Sequence, residues 1–219
     1  LYNSVKKSML GKNWNTINIP YCIDLQKWSP ANKNYSRDVL KLPKNKKLIL
    51  LGAAGGLSDP RKGYDLAIKA IKNLNKNKEN YEIVIFGQSN QKEKYFGELS
   101  VSFLGKIRDE FTMILIYSAC DIFVLPSRQD NLPLTGIESM ACALPIVGFN
   151  IGGIPDIIDH KKNGFIAKPF CIKNLTDGIS YLLTKNNIMS LNARKKIVEL
   201  CNQEKIINSY INFYKSLKK

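Results

Sequence analysis

The chain has 219 residues, of which 44% are hydrophobic and 23% charged, with 9 prolines and 14 glycines. That composition excludes a disordered or fibrous protein, and no apolar run approaches the ~20 residues a membrane-spanning helix needs. The formal charge of +15 has two readings: attraction to polyanions such as nucleotide phosphates or an anionic membrane leaflet, or an organism rich in lysine and asparagine. The lysines are scattered and not interleaved with aromatics, so nucleic acid is not expected as a partner.

The chain begins at Leu1 with no charged n-region, apolar core and cleavage site behind it, and reads as a piece of a longer protein. Residues 1–46 are polar and broken by prolines. We take 1–24 as a linker from a domain outside this sequence, 25–202 as one domain and 203–219 as a closing helix. Lys47–Leu51 is a strand ending at Gly52, and Tyr64–Leu74 carries apolar residues at helical spacing. Glu82–Phe86 is a strand stopped by Gly87, and Val101–Leu104 one stopped by Gly105. Glu110–Ala119 reads as a helix and Asp121–Leu125 as a buried strand ended by Pro126. A helix over Pro133–Cys142 and a strand over Pro145–Phe149 follow. Strands alternating with helices predict an α/β fold, a Rossmann-like doubly wound parallel sheet. In the tail, Ile206, Ile207, Tyr210, Ile211, Tyr214 and Leu217 make an amphipathic helix whose apolar face needs a partner.

The five cysteines are scattered and form no CxxC pair, and there is one histidine, so zinc spacing is absent and reduced thiols in a cytoplasm fit best. His160 lies in a turn and reads as a surface residue.

Ligands of an open parallel sheet bind beyond the carboxyl ends of its strands. The loop from Gly52 to Gly63 offers glycines for close backbone approach, among them Gly55 and Gly56. Arg61 and Lys62 then stand just before a helix, an arrangement suited to a phosphate. It is not a Walker loop, because no G-K-[ST] follows at the right spacing. A solvated surface loop is the alternative. The loop Gly105-Lys106-Ile107-Arg108-Asp109 could present backbone groups to a base. The third loop, Pro126 to Pro133, leads from a buried strand into a helix whose first turns carry Glu138. Alone, such a glutamate is more often a surface residue favoured by the helix dipole. Ile137, Met140 and Ala141 around it favour burial.

The third loop resembles that of family 4 glycosyltransferases, retaining enzymes of the GT-B fold. In that family a strand and P-S precede an acid, then a glutamate eight positions on, then A-M-A or S-M-A and a strand opening P-V or P-I. Here these are Pro126-Ser127, Asp130, Glu138, Ser139-Met140-Ala141 and Pro145-Ile146-Val147. Gly152-Gly153-Ile154-Pro155-Asp156, Asn163-Gly164-Phe165-Ile166, Arg61-Lys62-Gly63-Tyr64-Asp65 and Ile19-Pro20-Tyr21-Cys22-Ile23-Asp24 are similar to further family segments, in order along nearly the whole chain.

The resemblance implies the C-terminal, donor-binding half of a two-domain enzyme. Its expected partners are a nucleotide-diphosphate sugar, a saccharide or lipid-linked acceptor and an N-terminal domain. It would work in the cytoplasm, with contact at the inner membrane face a further option, in cell-surface polysaccharide or lipopolysaccharide synthesis. Glu138 would hold the ribose hydroxyls, Asp130 would face the donor sugar, and Arg61 and Lys62 would neutralise the departing diphosphate. The N–H groups near Leu134 and Thr135 would assist. Asp130, Glu138 and Lys62 are the candidate catalytic residues. Gly55, Gly56, Arg61, Lys62, Gly87, Lys106, Ile107, Asn131, Leu134, Thr135 and Glu138 are the candidate nucleotide-binding ones. Neither metal nor cofactor is expected.

Three departures bear on donor choice. Asp130 stands where the family has glutamate, Asn131-Leu132-Pro133 replaces its glycine-rich turn, and the first loop lacks its arginine. Two other readings stay open: an epimerase-type GT-B enzyme, disfavoured by the near absence of histidine, and a non-enzymatic basic α/β module that binds a polyanion.

Overall fold

The structure is a computed structural model that describes residues 2–52, 59–74, 80–87, 95–96, 99–185 and 187–217. Its centre is a seven-stranded sheet of β1 (Lys47–Gly52), β2 (Tyr81–Phe86), β3 (Tyr95–Phe96), β4 (Leu99–Phe103), β5 (Ile122–Leu125), β6 (Ile146–Phe149) and β7 (Gly164–Ala167). Their order is β3-β4-β2-β1-β5-β6-β7. Only β3 runs antiparallel, against β4, and every other pairing is parallel. Without that edge strand the order is the 3-2-1-4-5-6 of a Rossmann sheet.

The strands read as unbroken apolar runs because both faces are covered. Leu48 and Leu50 of β1 enter one core with Phe86, Phe123 and Ile137. Ile49 and Leu51 enter the other with Ile85, Val147 and Phe149. The first face carries α4 (Glu110–Ala119), α5 (Leu134–Ala141) and α8 (Asn187–Leu200), and the second carries α3 (Tyr64–Lys72) and α7 (Ile172–Thr184). Chain leaving β1 therefore turns to one face and chain leaving β5 to the other. Between them opens the crevice where such folds bind ligands.

Short α1 (Tyr2–Lys7) and α2 (Lys33–Val39) occupy the polar, proline-broken segment 1–46. The Asn32 side chain accepts a hydrogen bond from the Tyr35 N–H and so caps α2. Arg37 of α2 is buried and donates to the carbonyls of Ala119, Lys44 and Lys46 while pairing with Asp121 at 2.9 Å. Burial alone would raise the Asp121 carboxyl, but Lys33 and the Leu48 N–H hold it below its ordinary range. Segment 33–46 is thereby fastened to the amino ends of β1 and β5, the end of the sheet opposite the crevice. At the other end of the chain, α6 (Ile154–Ile157) follows β6, and α9 (Gln203–Leu217) leaves Ile207, Tyr210, Ile211, Tyr214 and Leu217 exposed. No helix among the described residues is long and apolar enough to cross a membrane.

Candidate functional site at the switch point

Two loops meet beyond β1 and β5, and backbone sterics lock them together. Gly63 sits at φ 65°, and a Cβ there would lie 2.0 Å from the Pro126 carbonyl oxygen. Only glycine lets the start of α3 approach the end of β5 this closely. Arg128 fastens the same contact from the other loop. Its N–H donates to the Arg61 carbonyl at 2.7 Å, its guanidinium to the Pro60 carbonyl at 2.9 Å, and both its terminal nitrogens to the Asp65 carboxylate. The pair is too exposed to add much stability, yet its fork geometry fixes the register between the loops. Nothing in the sequence assigns Arg128 this role, since a bidentate contact across 63 positions leaves no local signature.

Two candidates expected to act separately are in direct contact. Lys62 Nζ lies 2.9 Å from Asp130 Oδ2, which also accepts a hydrogen bond from the Ser127 hydroxyl at 3.3 Å. Asp130 is largely covered and Lys62 partly so. The loop carrying Asp130 contains none of the left-handed residues its family counterpart would use, in keeping with Asn131-Leu132-Pro133. It rests instead on Gly152 and Gly153. A Cβ on Gly152, at φ 56°, would come 1.7 Å from the Asp130 carbonyl oxygen, and one on Gly153 would come 2.2 Å from that of Asn131. The Gly-Gly pair is the platform under the acid.

Glu138 occupies the second turn of α5, a helix entered through Pro133 with no side-chain cap among the described residues. Gly136 and Ile137 donate back to the Pro133 carbonyl, which leaves the amides of the exposed Leu134 and half-buried Thr135 at the open end. Glu138 is half-buried, and its Oε2 accepts a 3.1 Å hydrogen bond from the Tyr117 hydroxyl. Burial lifts its carboxyl to about 7, partly opposed by that hydroxyl. Arg194 of α8 secures the lower end of α5 by donating to the carbonyls of Ala141, Leu25 and Trp28.

The remaining candidates lie around this centre. The Gly87 N–H donates to the Gly105 carbonyl at 2.7 Å and joins the ends of β2 and β4. Beyond it Lys106 is exposed, while Ile107 packs on the core that holds Tyr117. Arg61 does not join Lys62. It is 72% exposed and turned onto Asp59 at 2.8 Å, whereas Lys62 turns onto Asp130. The physical reason is local, since an aspartate two residues earlier satisfies the fork before any ligand arrives. Gly55 and Gly56 lie outside the described residues. Asn131, with Leu132, Gly152, Gly153 and Asp156, forms one wall of a cleft of about 480 Å³, and Tyr2, Thr16, Ile17 and Tyr21 help form the other. His160 is exposed and accepts a hydrogen bond from the Ile166 N–H. Among the described residues no group of His, Cys, Asp or Glu side chains could hold a metal ion.

A doubly wound sheet of Rossmann order, with an acid and a lysine near its switch point, places the chain among the α/β domains whose ligands bind beyond the carboxyl ends of the strands. More narrowly, residues 33–199 match the family "Glycosyl transferases group 1", and the chain belongs to it. It is 32% identical over 130 residues to an uncharacterized glycosyltransferase of Haemophilus influenzae, covering 56% of this chain and 36% of that protein. Its fold is similar to sucrose-phosphate synthase from Thermosynechococcus elongatus, with TM-score 0.82 and 22% identity over 99% of this chain and 56% of the other. It is also similar to Anabaena Alr3699/HepE in complex with UDP and glucose, with TM-score 0.72 and 19% identity over 90% and 56%. The chain spans less than half the length of the curated relatives it matches, and it has the fold of the C-terminal half of a GT-B glycosyltransferase.

Proposed function

We propose that this domain binds a nucleotide-diphosphate sugar for retaining transfer to an acceptor held by an N-terminal domain, in the synthesis of a cell-surface polysaccharide or lipopolysaccharide. The observation that carries the reading is the lysine–aspartate pair, Lys62 with Asp130, at the switch point from which α5 and its Glu138 lead away. In this reading the Glu138 carboxylate accepts hydrogen bonds from the ribose diol. Lys62 and the amides of Leu134 and Thr135 at the start of α5 meet the diphosphate, and Asp130 faces the sugar. The bond from the anomeric carbon to the β-phosphate oxygen breaks as the acceptor oxygen bonds the same face, and the acceptor's proton leaves with the diphosphate. Alr3699/HepE, solved with UDP and glucose, supports a nucleotide ligand, and the motifs around Asp130 and Glu138 support retention. The charge of +15 supports contact with an anionic membrane surface.

By itself the chain supplies one wall of a two-substrate cleft, so it is expected to bind a nucleotide without efficient transfer. Titration with UDP-glucose, GDP-mannose and ADP-glucose tests this. Saturable binding of one of them, competed by its nucleoside diphosphate, is the expected result. Salt-sensitive polyanion binding that no nucleotide competes would refute it in favour of a non-enzymatic module.

A further inference from the structure

Glu138 is held from behind. Tyr117, on α4, is 1% exposed, and its ring is packed by Trp28, Phe86 and Phe123 with centroids at 6.1, 6.4 and 6.1 Å. Its hydroxyl is buried within an otherwise apolar cluster, where phenylalanine would fill the same space without a polar group to satisfy. The one hydrogen bond the hydroxyl makes among the described residues goes to Glu138 Oε2, at 3.1 Å. The dependence does not run the other way, because a backbone carbonyl or a serine could satisfy a phenol at far lower desolvation cost than a carboxylate. The pair therefore exists for the carboxylate.

We infer that Tyr117 is a positioning residue of the nucleotide site: its caged hydroxyl fixes the Glu138 carboxylate in the one orientation that leaves its remaining lone pairs open to the ribose diol. This rests on the reading of Glu138 given above. An ionised carboxylate offers about four acceptor positions, and Tyr117 takes one on Oε2. Oε1 and the second Oε2 lone pair remain for two hydroxyl donors. The cage makes this geometry rigid. Trp28 belongs to the segment that Arg194 ties to the end of α5, so ring and helix share one anchor. Without the hydroxyl the carboxylate would be free to rotate toward solvent, and a diol would have to order it on binding.

The hydroxyl also favours the ionised form that a diol requires. Burial pushes Glu138 up to about 7, and Tyr117 is the group that opposes this. Among the other titratable or charged groups of the elements packed around it, Cys142 caps the end of α5, Arg194 on α8 is committed to three backbone carbonyls, Lys196 on α8 pairs with Asp159, Glu110 on α4 pairs with Lys27, Lys195 and Glu199 of α8 are exposed, and Asp156 on α6 lines the cleft. None of them hydrogen-bonds the carboxylate. Removal of the hydroxyl therefore leaves Glu138 protonated to a higher pH.

The test is calorimetric titration of the 219-residue chain between pH 6 and 8.5. The ligand is whichever of UDP-glucose, GDP-mannose and ADP-glucose binds most tightly, since their diphosphates carry no group titrating near neutrality. For the unaltered chain, affinity is expected to rise with pH through about 7. Glu138→Gln is expected to bind weakly with a flat profile. Tyr117→Phe is expected to bind about tenfold more weakly at pH 7, with its midpoint moved to higher pH. A merely structural tyrosine would lower the melting temperature and leave the midpoint in place, and that result would overturn the inference. So would unchanged Tyr117→Phe binding alongside a weakened Glu138→Gln. An unaffected Glu138→Gln, or no binding of any of the three ligands, would instead bring down the ribose reading beneath it. If the phenylalanine variant does not fold, 3-fluorotyrosine at position 117 supplies a stronger donor of nearly the same shape. It is expected to move the midpoint to lower pH, and an unmoved midpoint counts against the proposal.

Discussion

Replacement of Glu138 by glutamine should stabilise the unliganded fold above neutral pH while damaging the site. A carboxyl raised from an ordinary 4.5 to about 7 holds its proton more tightly in the folded chain than in the unfolded one. Its contribution to stability is thus fully present below about pH 4.5 and is lost as pH rises through about 7. At ~1.4 kcal/mol per decade the full loss would be about 3 kcal/mol, and water at the half-exposed side chain reduces this to about 2 kcal/mol. Glutamine keeps the shape and an oxygen for the Tyr117 hydroxyl but never ionises. The two chains should therefore unfold at nearly the same urea concentration at pH 4.5. By pH 8 the Glu138→Gln chain should be more stable by about 2 kcal/mol, or roughly 4–8 °C in melting temperature for a domain of this size. Acid-sensitive pairs such as Asp121 with Lys33 are common to both chains and cancel in the difference. Urea unfolding followed by circular dichroism across this range is the assay. Parallel stability curves for the two chains would refute the reasoning, because they would mean that Glu138 ionises in the folded chain as readily as in water.

Two further substitutions probe the rest of the site. Lys62→Ala removes the ammonium that rests 2.9 Å from Asp130. It should weaken binding of the nucleoside diphosphate by about 10- to 100-fold, the range of a charge-assisted hydrogen bond. The free nucleoside should be little affected, and equal losses for both ligands at two salt concentrations would refute a phosphate role. Gly152→Ala places a Cβ 1.7 Å from the Asp130 carbonyl oxygen at a φ of 56°, so it should cost more than ~2 kcal/mol in urea unfolding or push the Asp130 loop off its platform. A variant of unchanged stability and nucleotide-sugar affinity would show that the platform carries nothing.

Apart from the two-residue β3, the strands up to β6 are legible in the sequence because most are short apolar runs ended by Gly52, Gly87, Gly105 or Pro126, with helical periods between. Glu110–Ala119 falls as expected, and the expected helix at Pro133–Cys142 is one residue shorter at each end. Between Phe149 and the closing helix the sequence shows motifs but no plain run of elements. The four residues of β7 are too few to show a period. α7 does carry one, in Leu175, Ile179, Leu182 and Leu183, so that helix was open to detection. The segment around α2 reads as polar because its stabilising contacts are made by a buried arginine, and Asn32 as a cap is its one local signal. The candidate acids and Lys62 stand out by type and spacing. Their partners do not, since Lys62 meets Asp130 across 68 positions and Tyr117 meets Glu138 across 21. Arg61 is the opposite case, since its partner, Asp59, is only two residues away.

The two kinds of contact at the switch point divide the work of the site. Its frame is held by backbone against backbone at positions where no Cβ fits, with Gly63 on Pro126, Gly152 on Asp130 and Gly153 on Asn131. Such contacts have no soft degree of freedom, so the loops are in place before a ligand arrives, and little of the binding energy is spent on ordering them. The groups proposed to meet a ligand are held differently. Lys62 is kept by a partly exposed ion pair with Asp130, and Glu138 by one hydroxyl. A diphosphate can compete with a carboxylate for an ammonium, because it brings equal or greater charge to the same donor. That exchange would release Asp130 as the sugar enters beside it. No such exchange is available to Glu138, whose donor is neutral and caged, so it keeps its orientation throughout. The acid expected to change partners sits on a loop, and the acid expected to stay fixed sits inside a helix.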